Sequence, residues 1–286
     1  MELWYSESHT ETVKLSIKVN EQLYSKQSEY QRIDVFDSPE FGRFLTLDGY
    51  MMLTEKDEFI YHEMITHVPM AVHPNPQNIL VIGAGDGGVV RELAKYDCIT
   101  KIDLVEIDPL VVEVCKKYLP HTACCFDDPR LTVYYQDGLK FMRKCENQYD
   151  LIIVDSTDPF GPGEDLFTKE FYGNCFKALK EDGIMVNQHE SPFYENDAQA
   201  MKRAHARIVK SFPISRVYQA HIPTYPSGHW LFGFASKQYH PTRDLKAAQW
   251  NHLTLDTKYY NTNLHRGAFY LPNYVEKILR ECENDE

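Results

Sequence analysis

The residues best suited to chemistry lie just after the apolar run Leu151–Val154, where Asp155 and Asp158 stand three positions apart. Two carboxylates at this spacing can hold an amine as a cation, and one of them can accept its proton. The Pro- and Gly-rich stretch 158–165 is typical of a loop that closes over a ligand. An isolated pair of this kind is more often a capped turn, so its meaning depends on the surrounding elements.

From Asn78 onward, short apolar strands alternate with helical segments. This alternation indicates a mostly parallel sheet covered by helices on both faces. The last two strands, around 214–221 and 230–236, are joined by a turn-rich stretch, which predicts an antiparallel edge. The other predicted strands are 78–82, 102–107, 131–135, 151–154 and one from 184, and the predicted helices include 109–118 and others from 139, 168 and 196.

Residues 1–54 have a different pattern, with short alternating strands and the turn signal Asp48-Gly49. They predict a small N-terminal antiparallel meander, and thus a β domain at 1–54 ahead of a catalytic domain at 55–286. A helix is predicted to begin at Thr54-Glu55 and to end near Pro69.

Acidic or amide side chains follow nearly every strand of the predicted sheet. In open α/β sheets, ligands bind outside the carboxyl ends of the strands, so these residues are expected to share one pocket. We expect Asp108, which precedes Pro109, to be a helix cap instead. The strand-end residues are Asp86, Glu106, Asp108, Asp137, Asp155, Asp158, Gln188 and Glu190. They predict a strongly negative pocket.

The sequence Gly83-x-Gly85-x-x-Gly88, between a strand and a helix, matches the dinucleotide fingerprint, and Glu106 lies where the ribose-binding acid is expected. Asp86 inside the loop argues against a dinucleotide, because its carboxylate repels a pyrophosphate and attracts a cation. Glu106 can accept hydrogen bonds from both ribose hydroxyls, and Asp137 can accept one from an adenine amino group. A sulfonium nucleoside fits these residues better than NAD.

The position of Asp86 also favours one sulfonium nucleoside over another. S-adenosylmethionine carries a carboxylate on its amino-acid tail, close to where Asp86 is expected to point. The decarboxylated form keeps only the ammonium group, so Asp86 is predicted to select it by charge.

Composition narrows the class of protein. The chain has 286 residues, of which 43% are hydrophobic, and its formal net charge is −12. That charge argues against nucleic-acid binding, and no apolar run approaches the ~20 residues of a membrane span. The acidic N-terminus does not resemble a secretory signal. The seven cysteines include no CxxC pair, which disfavours zinc and disulfides. We therefore expect a cytoplasmic protein without a metal or a prosthetic group.

Several motifs in series resemble those of the spermidine synthase family, the polyamine aminopropyltransferases, and most closely its bacterial members. The resemblance runs in order from Leu3-Trp4-Tyr5 to near the C-terminus. The matching segments are Ser28-x-Tyr30-Gln31, Glu55 to Met64, Gly83 to Glu92, Glu106-Ile107-Asp108, Asp137-Gly138, Asp155 to Pro162, and Pro223 to Gly228.

This resemblance implies a methyltransferase-like Rossmann fold, a homodimer or homotetramer, and roles for the matching residues. The nucleoside of decarboxylated S-adenosylmethionine would contact the glycine loop and a set of flanking residues: Gly83, Gly85, Asp86, Gln31, Glu106, Asp137, Gly138 and Pro162. Asp86 and His62 would hold the aminopropyl end. The diamine channel would be lined by Tyr61, His62, Asp155, Ser156, Thr157, Asp158, Gln188 and Tyr225.

The implied reaction transfers an aminopropyl group to putrescine and gives spermidine and 5′-methylthioadenosine. Alkylammonium groups titrate near pH ~10.4, judging from lysine, so the attacking amine must first lose a proton. Asp155 is the predicted acceptor, with Tyr61 and Asp158 positioning the nitrogen. Desolvation is expected to lower the pKa of the amine and to raise that of Asp155. The part that His62 plays in the pH profile is left open.

Two other functions use the same features. A small-molecule methyltransferase dependent on S-adenosylmethionine shares the sheet and the glycine loop, and a non-catalytic polyamine-binding protein would share the acidic pocket. The Asp155 and Asp158 pair favours an enzyme over the second alternative.

Overall fold

In the computed structural model of the protein, residues 2–156 and 161–284 are described, apart from the side chains at 161, 162, 164 and 284. The N-terminal part contains six strands: β1 (Leu3–Ser8), β2 (Lys14–Val19), β3 (Glu21–Gln27), β4 (Arg32–Ser38), β5 (Gly42–Leu47) and β6 (Tyr50–Thr54). They form two antiparallel sheets, the hairpin β1-β2 and the four-stranded β3-β4-β5-β6.

The predicted single meander is therefore wrong in one respect. Strand β2 pairs only with β1, and the chain turns at Asn20 into a separate sheet. The two sheets are held together by side chains, because Tyr5, Ile17 and Val19 of the hairpin pack on Phe44 and Met51. The hairpin is thus fixed on the four-stranded sheet by an apolar contact.

The rest of the chain forms a seven-stranded sheet with helices. The strands are β7 (Asn78–Gly83), β8 (Lys101–Glu106), β9 (Leu131–Tyr135), β10 (Tyr149–Asp155), β11 (Leu179–Gln188), β12 (Ile214–His221) and β13 (His229–Ser236). The α-helices are α1 (Glu58–Met70), α2 (Gly88–Ala94), α3 (Pro109–Tyr118), α4 (Gly138–Met142), α5 (Lys169–Ala178), α6 (Glu195–Ser211), α7 (Ala247–His252), α8 (Thr262–Ala268) and α9 (Asn273–Asn284). Short 3₁₀ helices lie at Ala123–Cys125, Gly161–Phe167 and Pro226–Gly228.

The strand order is β12-β13-β11-β10-β7-β8-β9, with β7 to β11 parallel. Strand β13 is antiparallel to both β11 and β12, which confirms the predicted antiparallel edge. The order reverses between β7 and β10, the position at which doubly wound sheets bind ligands. The sequence places the glycine loop and Asp155 at the ends of these two strands.

The apolar strands are explained by burial on both faces of the sheet. In β7, Ile79 and Val81 belong to one apolar core, and Leu80 and Ile82 belong to the core on the other side. Every side chain of such a strand is buried, so the sequence shows a continuous apolar run instead of an alternating pattern. Within the described part of the chain, no helix has the length and apolar character needed to cross a bilayer.

Two boundaries differ by more than two residues from the sequence-based prediction. Helix α1 begins at Glu58 because Thr54 donates a hydrogen bond to Asp57 (2.6 Å) and residues 55–57 form a turn. Strand β11 begins at Leu179, five residues earlier than predicted, through a charged segment that pairs irregularly with β10. The predicted helix Pro109–Tyr118 is confirmed at both ends.

Candidate active site

A cavity of about 590 Å³ opens at the carboxyl edge of the sheet, at the point where the strand order reverses. Its lining includes every predicted site residue whose side chain is described: Gln31, Tyr61, His62, Gly83, Gly85, Asp86, Glu106, Asp137, Gly138, Asp155, Ser156, Gln188 and Tyr225. Thr157 and Asp158 lie outside the described residues, as does the side chain of Pro162. Glu190 also lines the cavity, and Asp108 does not.

The glycine loop lies directly against the end of β10. Gly83 and Asp155 are neighbours in the parallel register, and the amide of Ala84 donates to the carbonyl of Asp155 at 3.0 Å. Gly83 has a φ of +82°, and a Cβ there would overlap the Asp155 carbonyl. A Cβ on Gly85 would come within 2.8 Å of the Glu106 carboxylate. The two glycines therefore let the loop backbone lie close to the Asp155 carbonyl and to the Glu106 carboxylate.

Asp155 is half-buried, and its carboxyl group has one hydrogen-bond partner among the described residues. Its Oδ1 accepts a hydrogen bond from the Tyr61 hydroxyl at 2.6 Å, and its Oδ2 has no hydrogen-bond partner among the described residues. Burial raises the pKa of Asp155 to about 7, the nearby Asp86 carboxylate adds to the rise, and His62 and Tyr61 oppose it. A carboxyl group in the cavity lining with this pKa and an oxygen that has no partner among the described residues can accept a proton near neutrality.

His62 lies between two carboxylates. Its Nδ1 is 2.6 Å from Glu58 Oε2, its Nε2 is 3.2 Å from Asp86 Oδ1, and its ring packs so closely on Gly88 that a side chain there would overlap it. Burial alone would lower the pKa of His62, but Asp86 and Glu58 raise it to about 10. The raised pKa favours the protonated imidazole at neutral pH.

Glu58 is held in turn by Arg91 of α2. The guanidinium donates two hydrogen bonds to the Glu58 carboxylate, at 2.8 and 2.9 Å, in the bidentate geometry that favours this pair. Burial would raise the pKa of Glu58, but His62 and Arg91 hold it well below its usual range. Arg91, Glu58, His62 and Asp86 thus form a continuous chain of alternating charges that ends in the cavity.

Asp86 is ionised at the floor of the cavity. Its Oδ1 accepts a hydrogen bond from the Gly88 amide at 2.7 Å, at the start of α2. Burial opposes ionisation, but the His62 cation and this amide lower the pKa of Asp86. The lowered pKa therefore favours the negative form of this carboxylate inside the glycine loop.

On the β8 side, Glu106 and Asp108 are linked through the backbone. Glu106 Oε1 accepts from the Asp108 amide at 2.8 Å, and burial with the neighbouring Asp108 charge raises the pKa of Glu106 to about 7. Asp108 caps α3 by accepting from the Leu110 amide, which confirms the predicted cap. Gln31 reaches this edge by donating to Asp108 at 3.3 Å.

Asp137 and Gly138 close the same side of the cavity. Asp137 caps α4 by accepting from the Lys140 amide at 3.0 Å, and it still lines the cavity. A Cβ on Gly138 would lie 2.8 Å from Ile82. The pair therefore forms a tight wall beside an apolar side chain, a surface suited to a flat ring.

The side of the cavity away from Asp137 and Gly138 carries amide, hydroxyl and carboxyl groups. Gln188 donates to Glu190 at 2.9 Å and accepts from its amide, and the Tyr225 hydroxyl donates to the Met52 carbonyl at 2.5 Å. The Ser156 hydroxyl is buried and has no partner among the described residues. These groups form a polar wall next to Asp155.

The sequence analysis did not identify two groups of residues that line the cavity or support its side chains. Glu7, near the end of β1, and Glu11, in the turn between β1 and β2, line the cavity from a distant part of the chain, and no local pattern signals this. Glu58 and Arg91 support His62, and the spacing of Glu58 and His62 in the sequence could have indicated their contact. Glu58 precedes His62 by four residues on one helix, the spacing at which side chains meet.

One histidine and two carboxylates of the site, His62, Asp86 and Asp155, have polar atoms within 4.8 Å of one another. Such a set can ligate a metal ion only if the histidine is neutral. Both nitrogens of His62 face carboxylates, and its raised pKa keeps it protonated. The arrangement is therefore better suited to an organic cation than to a metal ion.

Comparison with known proteins identifies the family. The family model described as "Spermine/spermidine synthase domain" matches residues 58–247, and one described as "Spermidine synthase tetramerisation domain" matches residues 3–55. A polyamine aminopropyltransferase of Alkaliphilus oremlandii is 71% identical over 283 residues, covering 99% of this chain and all of the relative. One from Clostridium perfringens is 69% identical with the same coverage.

Two solved structures of spermidine synthases are also similar to this chain. A spermidine synthase in complex with the transition-state analogue AdoDATO superposes with a TM-score of 0.95 at 48% identity, covering 98% of this chain and 95% of that one. Spermidine synthase from Thermotoga maritima gives a TM-score of 0.92 at 47% identity, with 97% and 94% covered. Together with the two family models, these matches show that the chain belongs to the spermine/spermidine synthase family.

Proposed function

We propose that this protein is a spermidine synthase, which transfers the aminopropyl group of decarboxylated S-adenosylmethionine to putrescine and releases 5′-methylthioadenosine. The observation that carries the proposal is the pairing of two differently charged acids. The pKa of Asp86, at the glycine loop, is lowered, whereas the neighbouring Asp155 has a raised pKa and an oxygen without a hydrogen-bond partner among the described residues. Asp86 is suited to bind a group that stays positively charged, and Asp155 is suited to accept a proton during the reaction.

Our assignment of the co-substrate site rests on the residues around the glycine loop. We assign the ribose hydroxyls to Glu106, the adenine to the wall formed by Asp137 and Gly138, and the aminopropyl ammonium to Asp86. Gln31, Gly83, Gly85 and Pro162 complete the nucleoside site. Because Asp86 is negative and buried, a ligand that keeps the methionine carboxylate would meet like-charge repulsion there. The decarboxylated form avoids it.

The acceptor amine is placed on the Asp155 side. We assign Tyr61, Ser156, Gln188 and Tyr225 to the diamine channel, together with His62 as the cation that orients Asp86. Thr157 and Asp158, which lie outside the described residues, are included because of their resemblance to the family motif. The acids of the β1-β2 hairpin, Glu7 and Glu11, support a cationic acceptor, because they add negative charge to the same cavity.

The chemical step is an in-line displacement. The neutral amine attacks the carbon beside the sulfonium, a C–N bond forms, and the C–S bond breaks with its electron pair passing to sulfur. The proton of the acceptor amine goes to Asp155, whose raised pKa brings it closer to that of a desolvated amine. Tyr61 fixes the Asp155 carboxyl through the hydrogen bond to Oδ1, which leaves Oδ2 to accept the proton.

Assembly and location follow from separate observations. We propose that residues 1–54 form an oligomerisation domain, that 55–286 form the catalytic domain, and that the assembly is a homotetramer, since the family model at 3–55 is named for tetramerisation. We also propose a cytoplasmic location, because the seven cysteines form no disulfide and four of them are buried thiols.

A product assay tests the activity against both alternatives. The enzyme is incubated with decarboxylated S-adenosylmethionine, or with S-adenosylmethionine, in the presence of putrescine. Spermidine and 5′-methylthioadenosine in equal amounts are expected from the first donor only. S-adenosylhomocysteine from the second donor would identify a methyltransferase, and the absence of both products would identify a binding protein. Initial rates with putrescine, cadaverine, agmatine and spermidine then test the acceptor.

Calorimetry tests the charge selection by Asp86. Asp86→Asn is expected to weaken the binding of decarboxylated S-adenosylmethionine far more than that of 5′-methylthioadenosine, which lacks the aminopropyl cation. Equal losses for the two ligands would show that Asp86 only shapes the glycine loop through its hydrogen bond to the Gly88 amide.

A further inference from the structure

Two adjacent thiols lie outside the site described above. Cys124 and Cys125 belong to the 3₁₀ helix Ala123–Cys125, between α3 and β9, and their Sγ atoms are 3.7 Å apart. Cys124 is exposed and Cys125 is half-buried, so the pair is open to solvent from one side. We propose that these two thiols form a chelating site for a single thiophilic atom, the trivalent arsenic of an arsenoxide being the ligand class that fits best.

The spacing suits a bridging atom better than a direct disulfide. A tetrahedral centre with bonds to sulfur of ~2.3 Å holds its two sulfurs ~3.8 Å apart, and pyramidal trivalent arsenic, whose bond angles are narrower, holds them somewhat closer, so a small rotation of the side chains from the observed 3.7 Å suffices. A disulfide usually requires Cα atoms ~4.4–6.8 Å apart, whereas adjacent residues have Cα atoms only ~3.8 Å apart. One atom can therefore join the two sulfurs with little change in the backbone.

Protonation of the pair favours the same ligand class. Burial raises the pKa of the Cys125 thiol to about 11, and the Cys124 thiol adds to the rise. Alkylating reagents and disulfides react with thiolates, so Cys125 reacts slowly with them at neutral pH. An arsenoxide reacts by condensation: two As–S bonds form, the oxide oxygen leaves as water with the two thiol protons, and arsenic stays trivalent.

The pair lies behind the glycine loop. A Cβ on Gly87 would be 3.0 Å from both the Cα of Ala123 and the carbonyl oxygen of Thr122, so this turn packs directly on the loop. Gly87 is the N-cap of α2 and has a φ of +87°. Arg91, which supports Glu58, also donates to the His121 carbonyl at 3.4 Å. An adduct on the two thiols therefore disturbs the loop that carries Asp86.

Intact-mass spectrometry with phenylarsine oxide tests the site itself and does not depend on the proposed function. The native enzyme is expected to take up one equivalent with loss of one water, and a dithiol such as 2,3-dimercaptopropanol should reverse the addition where a monothiol does not. Cys124→Ser and Cys125→Ser should each abolish the monothiol-resistant adduct, and Cys98→Ser should retain it. An unmodified native enzyme, or a resistant adduct in both serine variants, would overturn the site.

The coupling to the glycine loop rests on the proposed function and has its own test. In the fully modified enzyme, we expect weaker binding of 5′-methylthioadenosine by calorimetry and a fall in kcat/KM of up to ~10²-fold, the size of effect that a small misplacement of catalytic groups produces. The dithiol should restore both. A modified enzyme with unchanged nucleoside affinity and rate would overturn the coupling while leaving the site established.

Discussion

Strand β10 carries a cluster of one histidine and two aspartates at each end, and the two clusters differ in how their acids are satisfied. In each, one polar atom per residue lies within 4.8 Å of the others: His62, Asp86 and Asp155 at the carboxyl end, and His73, Asp150 and Asp182 at the amino end. Asp150 and Asp155 are the second and last residues of the same strand.

The acid at the amino end is fully engaged. Asp150 accepts from the amides of Gln77 and Asn78 at 3.0 and 2.8 Å, and Lys180 donates to it at 2.8 Å. Burial opposes its ionisation, but Lys180 and the two amides lower the pKa of Asp150. Among the described residues, only the Tyr61 hydroxyl donates to the Asp155 carboxyl group, and burial raises the pKa of this acid to about 7. The number of donors thus separates an acid that ties the fold together from one that can move a proton.

The largest difference between the two ends should appear in turnover. Asp155→Asn is nearly isosteric and removes the proton acceptor, so we expect kcat to fall by at least the ~10²–10⁴-fold typical of a general base. Asp150→Asn, the matched control on the same strand, should retain kcat within a few-fold. Steady-state kinetics on both variants measures this, and an Asp155→Asn variant with near-native turnover would remove the base from the mechanism.

Stability should reverse the order of the two variants. Asp150→Asn loses charge-assisted hydrogen bonds, so its free energy of unfolding should fall by about 1.5–3 kcal/mol.

The two acids also change the free energy of unfolding with pH in opposite directions. The raised pKa of Asp155 makes the folded state bind more protons than the unfolded state, so its contribution falls as pH rises from about 4 to about 7. The lowered pKa of Asp150 gives a contribution that is complete above its usual value and is lost at lower pH.

Urea unfolding at pH 5 and pH 8, at one protein concentration, measures both slopes. Asp155→Asn should gain stability relative to the native protein on going from pH 5 to pH 8, and Asp150→Asn should show a constant deficit over that interval. A constant difference for Asp155→Asn would mean that the carboxyl group is ionised throughout, contrary to its raised pKa.

The comparison also predicts how the pH–rate profile responds to His62. kcat/KM should rise with pH as Asp155 ionises, and the His62 cation lowers the pKa of that group. His62→Gln removes the cation, so the rising limb should move to higher pH by about 1 unit, the lower end of the effect of an opposite charge. Glu58→Gln leaves the histidine in place with one carboxylate fewer and should give a smaller displacement. A rising limb that disappears in His62→Gln would identify the histidine as the base.

Much of the fold could be predicted from the sequence, because strands that are buried on both faces of the sheet appear as continuous apolar runs. The apolar run in β10 and the glycine loop after β7 located the sheet and its ligand edge. The difference between Asp150 and Asp155 was not accessible in the same way, since the donors to Asp150 come from residues more than 25 positions away. The charge of His62 likewise depends on Asp86, which belongs to another element.

The smallest expected effect concerns the one donor that Asp155 has. Tyr61→Phe removes the 2.6 Å hydrogen bond, which contributes less to the pKa of Asp155 than the charge of His62 does. The rising limb of kcat/KM should therefore move to higher pH by less than in His62→Gln. Removing the corresponding donor at the other end, in Lys180→Met, should leave the profile unchanged because Asp150 keeps two backbone amides and lies outside the cavity lining. Parallel pH–rate profiles of the three variants measure this order. A displacement in Tyr61→Phe equal to or larger than that in His62→Gln would mean that the hydrogen bond, and not the buried cation, sets the proton affinity of Asp155.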